Sequence, residues 1–166
     1  MNITLIGMAG VGKSKVGRVL AKKLNYDFID VDEIIEKNSK LKLQQIIDQF
    51  GDDEFMKIEE KAILGLGKLN NCIVSPGGSA AYSANAMEFL KKISVVVFLN
   101  APFIVVDKVK NRLTRGIVGL KGKGLRSLFE ERLPLYRKYA DVILDLDEDY
   151  EIEGVAEEIL ERLNKK

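Results

Sequence analysis

Residues 7–14 read Gly7-Met8-Ala9-Gly10-Val11-Gly12-Lys13-Ser14, the pattern G-x-x-x-x-G-K-S, and the segments flanking it decide the fold. Ile3-Thr4-Leu5-Ile6 before it is β-branched and apolar, as a buried parallel strand must be. After it, Val16, Val19, Leu20 and Leu24 recur at helical spacing. Strand, glycine-rich turn and helix in that order wrap backbone N–H groups around phosphate oxygens, with the positive end of a helix behind them. Gly10, Val11, Gly12, Lys13, Ser14 and Lys15 are the expected nucleotide-binding residues. Lys13 is placed to reach the β- and γ-phosphates, and the Ser14 hydroxyl to ligate Mg²⁺. A turn that merely joins a strand to a helix is the bland alternative, and the Lys13-Ser14 pair weighs against it. The chain is expected to bind a nucleoside triphosphate.

Working outward, strand-like and helix-like segments alternate. Strands are expected at Ile3–Ile6, Asp27–Ile29, Cys72–Val74, Ser94–Leu99 and Val142–Leu144. The clearest helix is the last, where Ile152, Val155, Ala156, Ile159, Leu160 and Leu163 form one apolar stripe among charged residues. Such alternation predicts an α/β fold, a five-stranded parallel sheet with helices on both faces. Ligands then sit beyond the carboxyl ends of the strands. Gly7, Asp30-Val31-Asp32 and Ser75-Pro76-Gly77-Gly78-Ser79 all fall at such ends.

Composition narrows the chemistry. The 166 residues fit one domain, 1–166, with 26 basic against 25 acidic residues and a net charge of +1. No global field points to nucleic acid or to an anionic membrane, so neither is expected as a partner. The absence of histidine excludes imidazole bases and His-ligated zinc. The single cysteine, Cys72, excludes an internal disulfide and, beside Ile73 and Val74, reads as a core residue. The most apolar stretch, Ile93 to Val106, is too short and too interrupted to span a bilayer. No targeting pattern opens the chain. A soluble cytoplasmic protein, monomeric or weakly oligomeric, is the expectation.

Four further features carry candidate chemistry. Asp30 and Asp32 lie two apart after the second strand, a spacing that in extended backbone puts both carboxylates on one side. They fit either helix capping or a pair in which one holds a metal-bound water and the other an acceptor hydroxyl. Gly77 and Gly78 fit a plain turn or a close approach of ligand to backbone. Arg132 falls on the apolar stripe of a helix starting at Leu125, where an inward guanidinium needs an anion: a structural carboxylate, or a carboxylate or phosphate of the substrate. Thr114 to Gly124 holds four glycines and three basic residues, suiting a mobile lid near phosphates or a solvated surface loop. Arg112 and Arg115 at its start are surface charges, or groups that swing onto the transferring phosphoryl.

Taken in order, these motifs resemble the shikimate kinase family over essentially the whole chain. They are Gly7–Ser14, the F-x-D-x-D-x-x-I-E run from Phe28 to Glu36, and Gly51-Asp52-x-x-Phe55-x-x-x-Glu59. The Gly77-Gly78 turn, a lid arginine and Arg132-x-Pro134-x-Tyr136 followed by Ala140-Asp141 complete the set. The resemblance implies a three-layer phosphate-loop kinase fold with a mobile lid at about 113–124 and an acceptor-binding region at about 31–62. It implies transfer of the γ-phosphoryl of Mg-ATP to a small polar acceptor, shikimate first, with another hydroxy acid or polyol as the alternative. Lys13 would stabilise the transferring phosphate, Ser14 and Asp30 (through water) would hold Mg²⁺, and Asp32 would bind acceptor hydroxyls and act as base. Gly77 and Gly78 would contact the acceptor through backbone and Arg132 would grip its carboxylate. Arg115 would be the lid arginine, and Arg112 would stack on adenine.

Three departures from the family pattern stand out. Met56 occupies the position of a second carboxylate-binding arginine, and Lys57 beside it is turned about 100° away on a helix. A triple-glycine turn has become Pro76-Gly77-Gly78-Ser79, and the lid's Arg-Pro pair is Arg115-Gly116. Loss of a charge-assisted bidentate contact at position 56 is worth about 1.5–3 kcal/mol. A regulatory GTPase would need an N-K-x-D motif, which the chain lacks. A nucleoside monophosphate kinase would need more convergent arginines, and a non-catalytic ATP-binding module would have no need of Lys13, Ser14, Asp30, Asp32 and Arg115 as a set.

Overall fold

The computed structural model describes residues 1–109 and 116–165. Five strands, β1 (Ile3–Ile6), β2 (Asp27–Asp30), β3 (Cys72–Ser75), β4 (Val95–Asn100) and β5 (Val142–Asp145), lie within one residue of their expected limits. They form one parallel sheet in the order β2-β3-β1-β4-β5. The helices are α1 (Lys13–Leu24), α2 (Val31–Ser39), α3 (Leu43–Leu64), α4 (Ala84–Ile93), α5 (Phe103–Val109), α6 (Leu120–Lys123), α7 (Leu125–Tyr139) and α8 (Ile152–Asn164), with a 3₁₀ turn at Gly78–Tyr82. Among the described residues, no helix is long and apolar enough to cross a membrane.

The order of strands follows from handedness. The chain leaves β1 toward the β2 edge and later steps from β3 past β1 to β4, in the opposite direction. Right-handed crossovers therefore put α1 on one face and α4 on the other. Accordingly α8 packs on α1, while α4 and α7 contact β4. All four residues of β1 are buried, as a central strand covered on both faces requires. Cys72 is a buried core residue, as expected.

Two glycines set the spacing of this frame. A Cβ at Gly17 on α1 would overlap the Phe28 ring, so the helix lies directly on β2 because that position is glycine. Gly51 takes φ 83° inside α3 and breaks it into two helical segments. On the second of these Phe55, Glu59 and Ile63 share the buried stripe.

Candidate active site

The phosphate loop leaves β1 through Gly7 at φ 144° and curls through Gly10 and Gly12, both with positive φ, into α1. Lys13, the first residue of α1, is buried, and its Nζ donates to the carbonyls of Gly7 at 2.9 Å and Met8 at 3.0 Å. The ammonium thus spans the mouth of the loop, where phosphate oxygens would displace these carbonyls. The loop is braced from the far end of the chain. Tyr150 donates its hydroxyl to the Val11 carbonyl at 2.9 Å, and Ile152 abuts Gly12. Beside them runs a groove of about 500 Å³ whose walls include Gly10, Lys15, Val105, Lys108 and Tyr150.

The two aspartates do not sit side by side on extended backbone. Asp30 ends β2 and caps α2, accepting the Asp32 N–H on Oδ1 at 3.0 Å, whereas Asp32 lies in the first helical turn. The period-of-two expectation is corrected, because the chain has already turned helical at Val31. Capping is therefore observed, and the other Asp30 oxygen accepts from the Ser14 hydroxyl at 2.7 Å. Ser75, the last residue of β3, brings its hydroxyl to 3.4 Å from the same Ser14 oxygen. Two hydroxyls and a carboxylate thus converge beside the loop, a hard-oxygen donor set that fits Mg²⁺.

Asp32 points the other way, into a second chamber. A Cβ at Gly77 would lie 3.1 Å from Asp32 Oδ1, so Gly77 backbone is flanked closely by that carboxylate. Phe55, Gly78, Val118 and Arg132 line the same chamber, which encloses only about 20 Å³ because residues 116–118 fold down onto it. Ile117 and Val118 are buried, and Gly119 N–H donates to Asp52 at 2.9 Å. Arg112, Arg115 and the start of the expected lid, 113–115, lie outside the described residues.

Arg132 is 1% exposed. Its Nη2 donates to the Val118 carbonyl at 2.7 Å and its Nε to the Tyr82 hydroxyl at 3.3 Å. Its Nη1 lies beside Gly78, whose carbonyl accepts from Tyr136 at 2.7 Å. Among the described residues no carboxylate forms an ion pair with it, while the buried Glu59 carboxyl lies within reach of its charge. Lys57 pairs with Glu54, Lys121 with Asp48 and Lys123 with Glu131, all at the surface.

Glu59 had no role assigned by sequence. It is 1% exposed, accepts from the Ser79 hydroxyl at 2.5 Å, and sits against Gly77, where a Cβ would overlap its Oε1. Burial first, then the Asp32 charge, push its carboxyl up to about 7, against the opposing pull of Ser79, Arg132 and Lys13. The signal that exposes it is the one used for Arg132, a charge on an apolar helical stripe. Ser75, Tyr82 and Tyr150 were missed because their partners lie far away in sequence.

The phosphate loop thus borders an open groove through Gly10, Gly12 and Lys15, while Gly78 and Arg132 wall a separate, closed pocket. An enzyme needs both only if it moves a phosphoryl group from a nucleotide to a small acceptor, so fold and site define a small-molecule kinase of the phosphate-loop class. Residues 9–164 match the family described as shikimate kinase. The shikimate kinase of Sulfurihydrogenibium sp. is 34% identical over 166 residues, covering 99% of each chain. The structure of shikimate kinase from Acinetobacter baumannii in complex with shikimate superposes with a TM-score of 0.90 at 29% identity, covering 99% of this chain and 93% of that one. The enzyme from Aquifex aeolicus gives 0.84 at 34% identity, covering 99% and 96%. The chain belongs to the shikimate kinase family.

Proposed function

We propose that this chain transfers the γ-phosphoryl group of ATP to a hydroxyl of shikimate, giving shikimate 3-phosphate and ADP. The observation that carries the acceptor assignment is Arg132. Among the described residues this fully buried guanidinium is bonded to the Tyr82 hydroxyl and the Val118 carbonyl and forms no ion pair with a carboxylate, which leaves its fork suited to an incoming anion. The carboxylate of the acceptor supplies that anion, and the guanidinium fork matches it. The family relationship supports the same acceptor.

In this reading Lys13 leaves the Gly7 and Met8 carbonyls for the β- and γ-phosphate oxygens and neutralises the charge that develops during transfer. Ser14 would hold Mg²⁺, with Asp30 and Ser75 acting through water. When bound, the metal neutralises charge on the bridging phosphates. Asp32, aimed into the acceptor chamber, orients the attacking hydroxyl and receives its proton, while Gly77 and Gly78 lie against the acceptor ring through backbone. Arg115 as the lid arginine and Arg112 against adenine rest on family resemblance. The chamber's small volume requires residues 116–118 to swing out for acceptor entry and back over it for transfer, which excludes water.

ADP release from Mg-ATP, measured with and without shikimate and with Lys13→Ala as the blank, tests the proposal. Saturable shikimate-dependent turnover absent from the blank is expected. ATP binding with no such turnover overturns the acceptor assignment and directs the search to another hydroxy acid or polyol.

A further inference from the structure

A guanidinium is a rigid plane carrying five N–H donors, so two anchored corners fix where the third points. In Arg132 the anchored corners are Nη2, on the Val118 carbonyl, and Nε, on the Tyr82 hydroxyl. Val118 belongs to the segment that covers the pocket. Tyr82 instead ends the 3₁₀ turn that starts at Gly78, and so belongs to the frame. Its hydroxyl proton is committed elsewhere, to Glu131 Oε1 at 2.5 Å. Lys123 first, then Tyr82, hold the Glu131 carboxyl below its ordinary value, and burial holds the Tyr82 phenol above its own. The direction of that bond is thereby fixed, and the phenolic oxygen presents a lone pair to Nε. The Tyr82 ring adds a second contact, its centroid 5.2 Å from Arg132 Cζ. Glu131 and Arg132 are neighbours that leave α7 about 100° apart, and the Tyr82 hydroxyl is where they meet. With both corners held, Nη1 lies beside Gly78 in the wall of the closed pocket.

We infer that Tyr82 is a positioning residue of the acceptor site: its hydroxyl, polarised by Glu131, occupies Arg132 Nε and turns the Nη1–Nη2 end of the fork to the acceptor's carboxylate. The Nε side is closed to the anion, so recognition is end-on. The Val118 anchor is lost whenever residues 116–118 swing out for acceptor entry. The Tyr82 anchor stays, because it is built into the turn that carries Gly78. The arginine is therefore already oriented when the acceptor arrives, and binding does not have to order it. That matters here because Met56, packed half-buried against the core, adds no second cation.

The inference rests on Arg132 holding the acceptor carboxylate, as proposed above, and its test reads the arginine both with and without turnover. Tyr82→Phe keeps the ring and removes the hydroxyl. KM for shikimate should rise about tenfold while KM for ATP holds, as for loss of one hydrogen bond to a charged group. In the ligand-free protein, solvent exchange of the Arg132 Nε proton, followed by nitrogen-15 NMR, should quicken. In an Arg132→Lys background, which has no Nε, adding Tyr82→Phe should move KM for shikimate by less than about twofold, the non-additivity of a residue acting through the arginine. Glu131→Ala leaves the hydroxyl but frees its proton, and should raise KM for shikimate about threefold. Thermal melts monitor folding, and the Glu131 variant keeps the comparison readable if Tyr82→Phe is unstable. An unchanged shikimate KM in either variant, an unmoved Nε exchange in Tyr82→Phe, or an equal rise in the Arg132→Lys background overturns the inference. Absence of shikimate turnover in the wild type, with Nε exchange still sensitive to Tyr82, instead overturns the acceptor assignment.

Discussion

Arg132 Nη2 donates to the Val118 carbonyl at 2.7 Å, so the guanidinium proposed to hold the acceptor also holds the segment that covers it. Through Tyr82 the same guanidinium reaches Glu131, which accepts from the Tyr82 hydroxyl at 2.5 Å and pairs with Lys123 of α6 at 2.6 Å. In the proposed reading, acceptor binding and closure share one side chain.

Arg132→Lys keeps the charge but loses the planar fork. KM for shikimate is expected to rise about 10- to 100-fold, the worth of one charge-assisted bidentate contact of about 1.5–3 kcal/mol. Steady-state kinetics with each substrate varied in turn checks this, and KM for ATP should change little.

Asp32→Asn preserves shape and removes the charge beside Gly77. If Asp32 receives the proton, kcat is expected to fall by about two to four decades, typical of a lost general base. Single-turnover rates measure the chemical step directly. A kcat near wild type would leave Asp32 a positioning group, which a loose phosphoryl-transfer transition state tolerates.

Tyr150→Phe removes the brace on the Val11 carbonyl without altering bulk. One neutral hydrogen bond contributes about 0.5–1.5 kcal/mol, so KM for ATP should rise roughly two- to tenfold with KM for shikimate unchanged. Nucleotide titration by calorimetry provides a reading independent of turnover.

Glu59→Gln tests stability against pH. The folded chain raises this carboxyl from its ordinary 4.5 to about 7, so the native state holds the proton more tightly than the unfolded one. Its contribution is full below about 4.5 and is lost as pH rises through about 7, on the order of 3 kcal/mol in all. The variant cannot ionise and escapes that loss. Its Tm relative to wild type is expected to improve from pH 4.5 to pH 8, and a constant difference would show that Glu59 titrates normally.

Much of the frame was legible in the residues themselves. The strand limits and the inward placement of Arg132 follow from alternation and helical spacing, because burial imposes those periods on any chain that folds this way. Asp32 was misplaced onto extended backbone because spacing alone does not say where a strand gives way to a helix. Asp30, as N-cap, makes that change at Val31. Glu59 carried the same signal as Arg132, yet its partner Ser79 lies twenty residues away on another element.

By itself the sequence determined the phosphate loop, the parallel α/β frame and the family. Those depend on local backbone chemistry and on periodic burial, which neighbouring residues encode. Only the tertiary structure decided what meets what: Ser14 with Asp30 and Ser75, Tyr150 with the loop, Arg132 with the covering segment, and Glu59 with Ser79 beside an uncharged Met56. Each of these is a contact between distant positions, and its strength is set by exclusion of water at the carboxyl end of the sheet, a property of the assembled fold.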